Sequence, residues 1–181
     1  MKRISIGLFV TFLVLMVFSA CQENVYMDWK IANERFFNSL EDSMKYYASS
    51  NYTSLPDSVK LVSPPMQKDL DKSTGIYYYY KLYYAGYPLS RQPNANSYVL
   101  VKYKGTLIDG TVFDQATTPS QFILSSTIQA WKDVLPKLHN GARIKLYAPT
   151  ALAYDTATLH MPTIPPYSAL VFDINLIDSQ Y

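Results

Sequence analysis

Phe113 and Asp114 set a large apolar ring beside a carboxylate. They close the stretch Val101-Lys102-Tyr103-Lys104-Gly105-Thr106-Leu107-Ile108-Asp109-Gly110-Thr111-Val112-Phe113-Asp114. Val101 and Tyr103 alternate with Lys102 and Lys104, a strand with one dry and one wet face. Asp109-Gly110 then supplies the positive φ of a tight hairpin turn. A strand of this kind can line an apolar hollow with one hydrogen-bond acceptor at its rim. Other chemistries lack the residues. His139 and His160 are the only histidines, far apart in sequence, and Cys21 is the only cysteine, so a metal cluster or a cysteine–histidine pair has no basis. His139, just before Gly141, reads as a solvated turn residue. No phosphate-cradling glycine loop is present.

The elements around this stretch are legible from periodicity. Trp29, Ala32, Phe36, Leu40, Ser43/Met44 and Tyr47 recur at three- and four-residue steps, which predicts an amphipathic helix from Tyr26 to Tyr47, packed by its stripe on the domain. Ser49-Ser50-Asn51 and Pro56 stop it, and Ser63-Pro64-Pro65 marks a loop. The tyrosine run between Gly75 and Gly86 reads as a strand with one face wet. Thr117-Thr118-Pro119-Ser120 reads as a loop and Gln121–Leu124 as a short strand. A helix follows from Thr127 to about Leu135, ended by Pro136. Arg143–Tyr147 alternates as a strand. In the last strand Leu170, Phe172, Ile174 and Leu176 face away from Val171, Asp173, Asn175 and Ile177. Antiparallel strands around one short helix make an α+β domain. The formal charge of +2 comes from Lys2 and Arg3, leaving 14 basic against 14 acidic residues beyond position 20. A neutral body gives no electrostatic case for nucleic acid.

At the N-terminus, Lys2-Arg3 precede an uncharged apolar run from Ile4 to Phe18, the pattern of a secretory signal. Phe18-Ser19-Ala20-Cys21 resembles the bacterial lipobox, which implies acylation of Cys21 and tethering to a lipid bilayer. A body free of cysteine suits an oxidising compartment. The expected organisation is a lipoprotein signal peptide over 1–20, a lipidated N-terminus and helical extension over 21–73, and a globular domain over 74–181. The expected location is the cell envelope. Gln22 after the cysteine points to the outer membrane, facing the periplasm.

Five blocks then agree in order and spacing with one family: Tyr103-x-Gly105, Asp109-Gly110-x-x-Phe113-Asp114, Ile128-x-x-Trp131, Leu152-Ala153-Tyr154, and Ile164-Pro165-Pro166-x-x-x-Leu170-Val171-Phe172. Over residues 75–178 the chain resembles the FKBP-type peptidyl-prolyl cis-trans isomerases. The resemblance implies an antiparallel sheet wrapped around a short central helix. It implies a proline pocket with Trp131 as floor, Tyr103, Phe113, Ile128, Ile164 and Phe172 as walls, and Asp114 and Tyr154 as polar groups at the mouth. Thr127 and His160 are implied as further substrate-binding residues. It also implies proline-containing polypeptides as substrates, macrolide-type inhibitors as ligands, and neither cofactor nor metal. A non-catalytic binding module or chaperone with the same cleft is the alternative. Ser120, Ser125-Ser126, Ala130 and Asp155 depart from the family pattern; aspartate tolerates the left-handed region that the position of Asp155 requires.

Overall fold

The computed structural model describes residues 5–155 and 163–181, with side chains from Tyr26 onward except 61 and 62. His160 lies outside the described residues, and so does the side chain of Cys21. Helix α1 (Ser5–Ala48) and two short helices, α2 (Ser50–Thr53) and α3 (Asp57–Val62), precede six strands. The strands are β1 (Met66–Leu70), β2 (Tyr77–Tyr84), β3 (Tyr98–Thr106), β4 (Val112–Ile123), β5 (Arg143–Ala148) and β6 (Leu170–Gln180). They form one sheet in the order β1-β2-β5-β6-β3-β4, antiparallel at every pairing. A short helix, α4 (Gln129–Val134), crosses from edge strand β4 to central strand β5. This is the α+β arrangement the sequence implies.

The β3–β4 hairpin closes as the Asp109-Gly110 pair dictates. Gly110 takes φ +88°, Leu107 N–H donates to the Thr111 carbonyl at 2.9 Å, and the Asp109 carboxylate accepts from Thr111 N–H at 2.9 Å. Pro136 cannot donate to an α-helical ladder, and α4 tightens into a 3-10 turn over Leu135–Lys137. The helix is therefore only six residues long.

Two cores lie on opposite faces of the sheet. On the inner face Ala130, Trp131, Val134 and Leu135 of α4 and the turn after it pack with Val99, Val101, Ile144, Leu146, Phe172 and Ile174. On the outer face Leu40 of α1 packs with Met66 and Tyr79, flanked by Phe36, Phe37, Met44 and Tyr47. The tyrosine run in β2 is thus buried on both sides: Tyr78 is wholly enclosed on the inner face and Tyr79 lies under α1. The face expected to be wet is covered in part: α1 lies over Tyr79, while Tyr77 and Tyr83 stay exposed. Two hydrogen bonds tie α1 to the segment before β6, and a third within the helix orients the Asn33 side chain. Trp29 Nε1 donates to Ser168 Oγ at 2.9 Å, Ala169 N–H donates to Asn33 Oδ1 at 2.8 Å, and Asn33 Nδ2 donates to the Trp29 carbonyl at 2.8 Å.

Three local expectations change. Strand β1, whose composition is unremarkable, pairs with β2 from Met66↔Lys81 to Leu70↔Tyr77. Thr117–Ser120 lies within β4 rather than in a loop. Val101 pairs with Ser120 and Tyr103 with Ala116, so the turn-forming residues form a bulge where Pro119 need not donate. His139 is half-buried, with Nδ1 2.9 Å from the Ser90 carbonyl oxygen.

Candidate active site

A cavity of about 680 Å³ opens on the inner face between α4, β3, β4 and the turn after β5. Trp131 forms its floor and is 5% exposed. It projects from the first turn of α4, which starts after Ile128 in extended conformation (φ −63°, ψ 155°). Thr127 Oγ1 donates to the Leu124 carbonyl at 2.8 Å and so fixes the turn before that helix. Both Thr127 and Ile128 line the cavity.

The walls are rings set edge to face. Tyr103 meets Trp131 at 5.3 Å between centroids and 87°; Phe172 meets Trp131 at 5.5 Å and 77°. Phe113 meets Phe172 at 5.5 Å and 90°. This geometry places positive ring edges against negative faces, so each wall holds its neighbour upright. Phe122 completes the set, 6.1 Å from Trp131 and 5.8 Å from Tyr103. The sequence reading left Phe122 out of the site, although Ser120, Phe122 and Leu124 alternate onto one face and could have disclosed it.

Adjacent residues of a regular strand point to opposite faces, yet Phe113 and Asp114 both line the cavity. A register shift reconciles them. Gly105 pairs with Asp114 and Thr106 with Val112, so Phe113 is the extra residue of a bulge. Its ring folds over Gly105. A Cβ on Gly105 would stand 2.5 Å from Phe113 Cζ, so the missing side chain makes the room.

The polar groups are few. The Tyr103 hydroxyl donates to the Asp114 carboxylate. Burial, then that hydrogen bond and the negative charge of Asp114, push the Tyr103 phenol well above the ordinary tyrosine range. Burial and the charge of Asp114 also raise the Tyr154 phenol. Both hydroxyls are therefore protonated at neutral pH. Tyr154 lines the cavity and follows a 3-10 turn, Thr150–Leu152. Asp155 takes φ +53° and donates its N–H to the Thr150 carbonyl at 2.9 Å; aspartate does hold the left-handed position. The Tyr154 hydroxyl makes no hydrogen bond to the described residues. Lys132, Gln129 and Asp155 stand among the lining residues, all three unforeseen from sequence.

The structure thus brings together Tyr103, Phe113, Asp114, Thr127, Ile128, Trp131, Tyr154 and Phe172 at one cavity. Ile164 is 8% exposed and belongs to the core cluster rather than the lining. The arrangement offers an aromatic box with the Tyr154 hydroxyl and the Tyr103–Asp114 pair, and with Gln129, Lys132 and Asp155 also in its lining. It can take up a compact apolar ring and hold the carbonyl beside it.

A family model described as FKBP-type peptidyl-prolyl cis-trans isomerase matches residues 90–177. The chain is 45% identical over 89 residues to the FKBP-type peptidyl-prolyl cis-trans isomerase FkpA of Escherichia coli, covering 48% of this chain and 32% of that protein. It is 38% identical over 101 residues to the outer membrane protein MIP of Legionella longbeachae, covering 54% of this chain and 42% of that protein. The matched stretch thus spans about a third to two fifths of the length of these curated relatives. In the crystal structure of E. coli FkpA the likeness reaches a TM-score of 0.69 at 30% identity, over 99% of this chain and 74% of that one. For a peptidyl-prolyl cis-trans isomerase from Pseudomonas syringae the TM-score is 0.57 at 31% identity, over 68% of this chain and 87% of that one.

Proposed function

Given that this chain belongs to the FKBP-type peptidyl-prolyl cis-trans isomerase family, we propose that it catalyses cis–trans isomerisation of X–Pro bonds in exported polypeptides. The prolyl ring enters the cavity over Trp131, between Tyr103, Phe113 and Phe172. One observation carries the reading: five aromatic rings, those of Tyr103, Phe113, Phe122, Trp131 and Phe172, line one cavity with the Tyr154 phenol and a closed Tyr103–Asp114 pair.

The physics asks for no more than that. Rotation about a peptide bond meets a barrier of about 18–20 kcal/mol because amide resonance is lost. For X–Pro bonds in free peptides the exchange takes roughly tens to hundreds of seconds. The twisted amide is less dipolar than the planar one, so moving it from water into apolar surroundings costs the transition state less than the ground state. The Tyr154 hydroxyl is placed to donate to the substrate carbonyl and hold it out of conjugation. Asp114 is occupied by Tyr103, which keeps a bare carboxylate from drawing water into the box. No proton changes owner, and the raised phenols stay neutral throughout.

The chain's anchoring belongs to the same proposal. Acylation at Cys21 tethers it to the envelope, at the outer membrane facing the periplasm, where unfolded exported chains are its clients. The cavity also suits macrolide-type inhibitors. The test is a protease-free isomerisation assay on short X–Pro peptides with the full-length chain and its Tyr154→Phe variant. Turnover above the uncatalysed rate, lowered in the variant, is the expected result. No turnover from the folded protein, across several residues before proline, would leave a binding module. For the anchor, radiolabelled palmitate should enter the wild type and not Cys21→Ser.

A further inference from the structure

Alternation along the strands puts a second set of side chains on the outer face, behind the cavity. Two cross-strand rows can be read from the register. One runs Gln115–Lys104–Asp173–Lys145–Lys81 and the other Lys102–Asn175–Arg143. Five cations thus face one carboxylate, in a chain whose charges beyond residue 20 balance. Lys145 pairs with Asp173 at 3.6 Å. Lys81 donates to the Tyr47 hydroxyl of α1 at 2.6 Å. Among the described residues, Lys102, Lys104 and Arg143 have no acidic partner within salt-bridge distance. Lys81 stands directly opposite Lys145, a like-charge pair that weakens a sheet. Asp178, one row beyond, has Oδ1 engaged by Asn140 Nδ2 at 2.6 Å.

This region is hollow rather than flat. The lining of a cleft of about 620 Å³ includes the cations Lys102, Lys104 and Arg143, the carboxylate Asp173, and Gln115 and Asn175. Helix α1 covers the β1–β2 side of the same face, through Tyr79 and Met66, and among the described residues no helix covers the β3–β6 side. Cations interspersed with amide and hydroxyl groups in a concave strip suit an extended anionic chain. A lipid surface is flat and would meet only the rims.

We propose that this open half of the outer face binds acidic stretches of polypeptide, and that it serves the same clients as the aromatic cavity. The identity of the client rests on the isomerase reading; the binding itself does not. Strand β4 is one of the two edge strands of the sheet, with Asp114 lining the cavity and Gln115 lining the cleft. A chain whose proline sits over Trp131 reaches the cations by turning over that single strand.

The test uses the full-length chain and a fluorescein-labelled peptide of alternating Glu and Ser, followed by anisotropy, with Gln and Lys replacing Glu in two control peptides. The acidic peptide should bind, and binding should weaken as NaCl is raised from about 0.05 to 0.5 M. Lys102→Thr/Lys104→Thr/Arg143→Thr, which keeps strand-favouring residues, should bind about tenfold more weakly. Asp173→Asn removes the one carboxylate and should bind roughly two- to fivefold more tightly. Isomerisation of a short uncharged X–Pro peptide should be the same in all three proteins, so that loss of turnover and loss of acidic binding are separate results. Equal affinity for the Gln and Glu peptides, or unchanged binding in both the triple variant and Asp173→Asn, would overturn the proposal. Binding to phosphatidylglycerol vesicles without affinity for the acidic peptide would overturn it too, and would assign the face to lipid headgroups.

Discussion

Gly105→Ala is the smallest change that should disable the cavity. The added Cβ would stand 2.5 Å from Phe113 Cζ and 2.8 Å from Cε2, whereas carbon atoms settle at about 3.5–4.0 Å. The Phe113 ring must therefore retreat by ~1 Å, away from its perpendicular contact with Phe172 at 5.5 Å. Overpacking of this kind costs about 1–3 kcal/mol. Gly105 does not have a positive φ, so alanine also restrains the unfolded chain and returns about 0.4–1 kcal/mol. The net expectation is a loss of about 1–2 kcal/mol in urea unfolding, small enough to leave the domain folded. A wall displaced by ~1 Å should cost kcat/KM roughly 10- to 100-fold. The control is Phe113→Val, which removes the ring that the methyl strikes. In a double-mutant cycle the stability penalty of Gly105→Ala should largely vanish in the Phe113→Val background. Wild-type stability and activity in Gly105→Ala, or strict additivity of the cycle, would refute the claim that this glycine exists to seat the ring.

Further outcomes follow from the same contacts. Tyr154→Phe removes a hydroxyl that has no partner among the described residues, so unfolding should be unchanged while kcat/KM falls about 2- to 12-fold, the worth of one neutral hydrogen bond. The rate should be flat from about pH 6 to pH 9, because the Tyr103 and Tyr154 phenols are both raised above an ordinary pKa of about 10; a titration near neutrality would contradict it. Stability should fall above about pH 10: wholly buried Tyr78 is raised by burial, so there the unfolded chain ionises before the folded one and each such phenol costs about 1.4 kcal/mol per pH unit, read by urea unfolding at stepped pH. Asn33→Ala strands the Ala169 N–H and should cost about 1–3 kcal/mol, with faster hydrogen exchange over 29–47 if α1 is held as described.

The sequence disclosed the site better than the scaffold. Seven of the residues assigned from the family blocks line one cavity, with Thr127 beside them and Ile164 outside it, because spacing around Gly105, Asp109-Gly110 and Trp131 reflects backbone requirements that few other residues meet. Strand β1 escaped notice since Met66–Leu70 carries neither alternation nor strand-favouring residues; it is a strand because β2 offers it an edge. Thr117–Ser120 looked like a loop for good local reasons, and its composition is that of a bulge seen without its partner strand. Phe122 was missed because the loop reading interrupted the alternation that aims it inward. Trp131→Ala is a poor probe of the cavity. Trp131 is 5% exposed with three rings against it, and its truncation should cost about 3–5 kcal/mol, so Tyr154→Phe is the cleaner probe.

The two faces of the sheet share strands but not chemistry. On β3, Tyr103 reaches the cavity while Lys102 and Lys104 reach the cleft; on β6, Phe172 lines the one and Asp173 the other. Side chains on opposite faces of a pleated sheet do not touch, and substitutions without shared partners add within about 0.3–0.5 kcal/mol. Gly105→Ala and the triple threonine variant should therefore be additive for a short neutral X–Pro peptide, which occupies only the cavity. A longer peptide with an acidic stretch beside its proline occupies both faces, and for that ligand the effects should cease to add. The coupling, if measured, belongs to the client chain that turns over β4 and not to a path through the protein. That makes the β4 edge, with its two bulges, the element on which affinity for a real polypeptide depends.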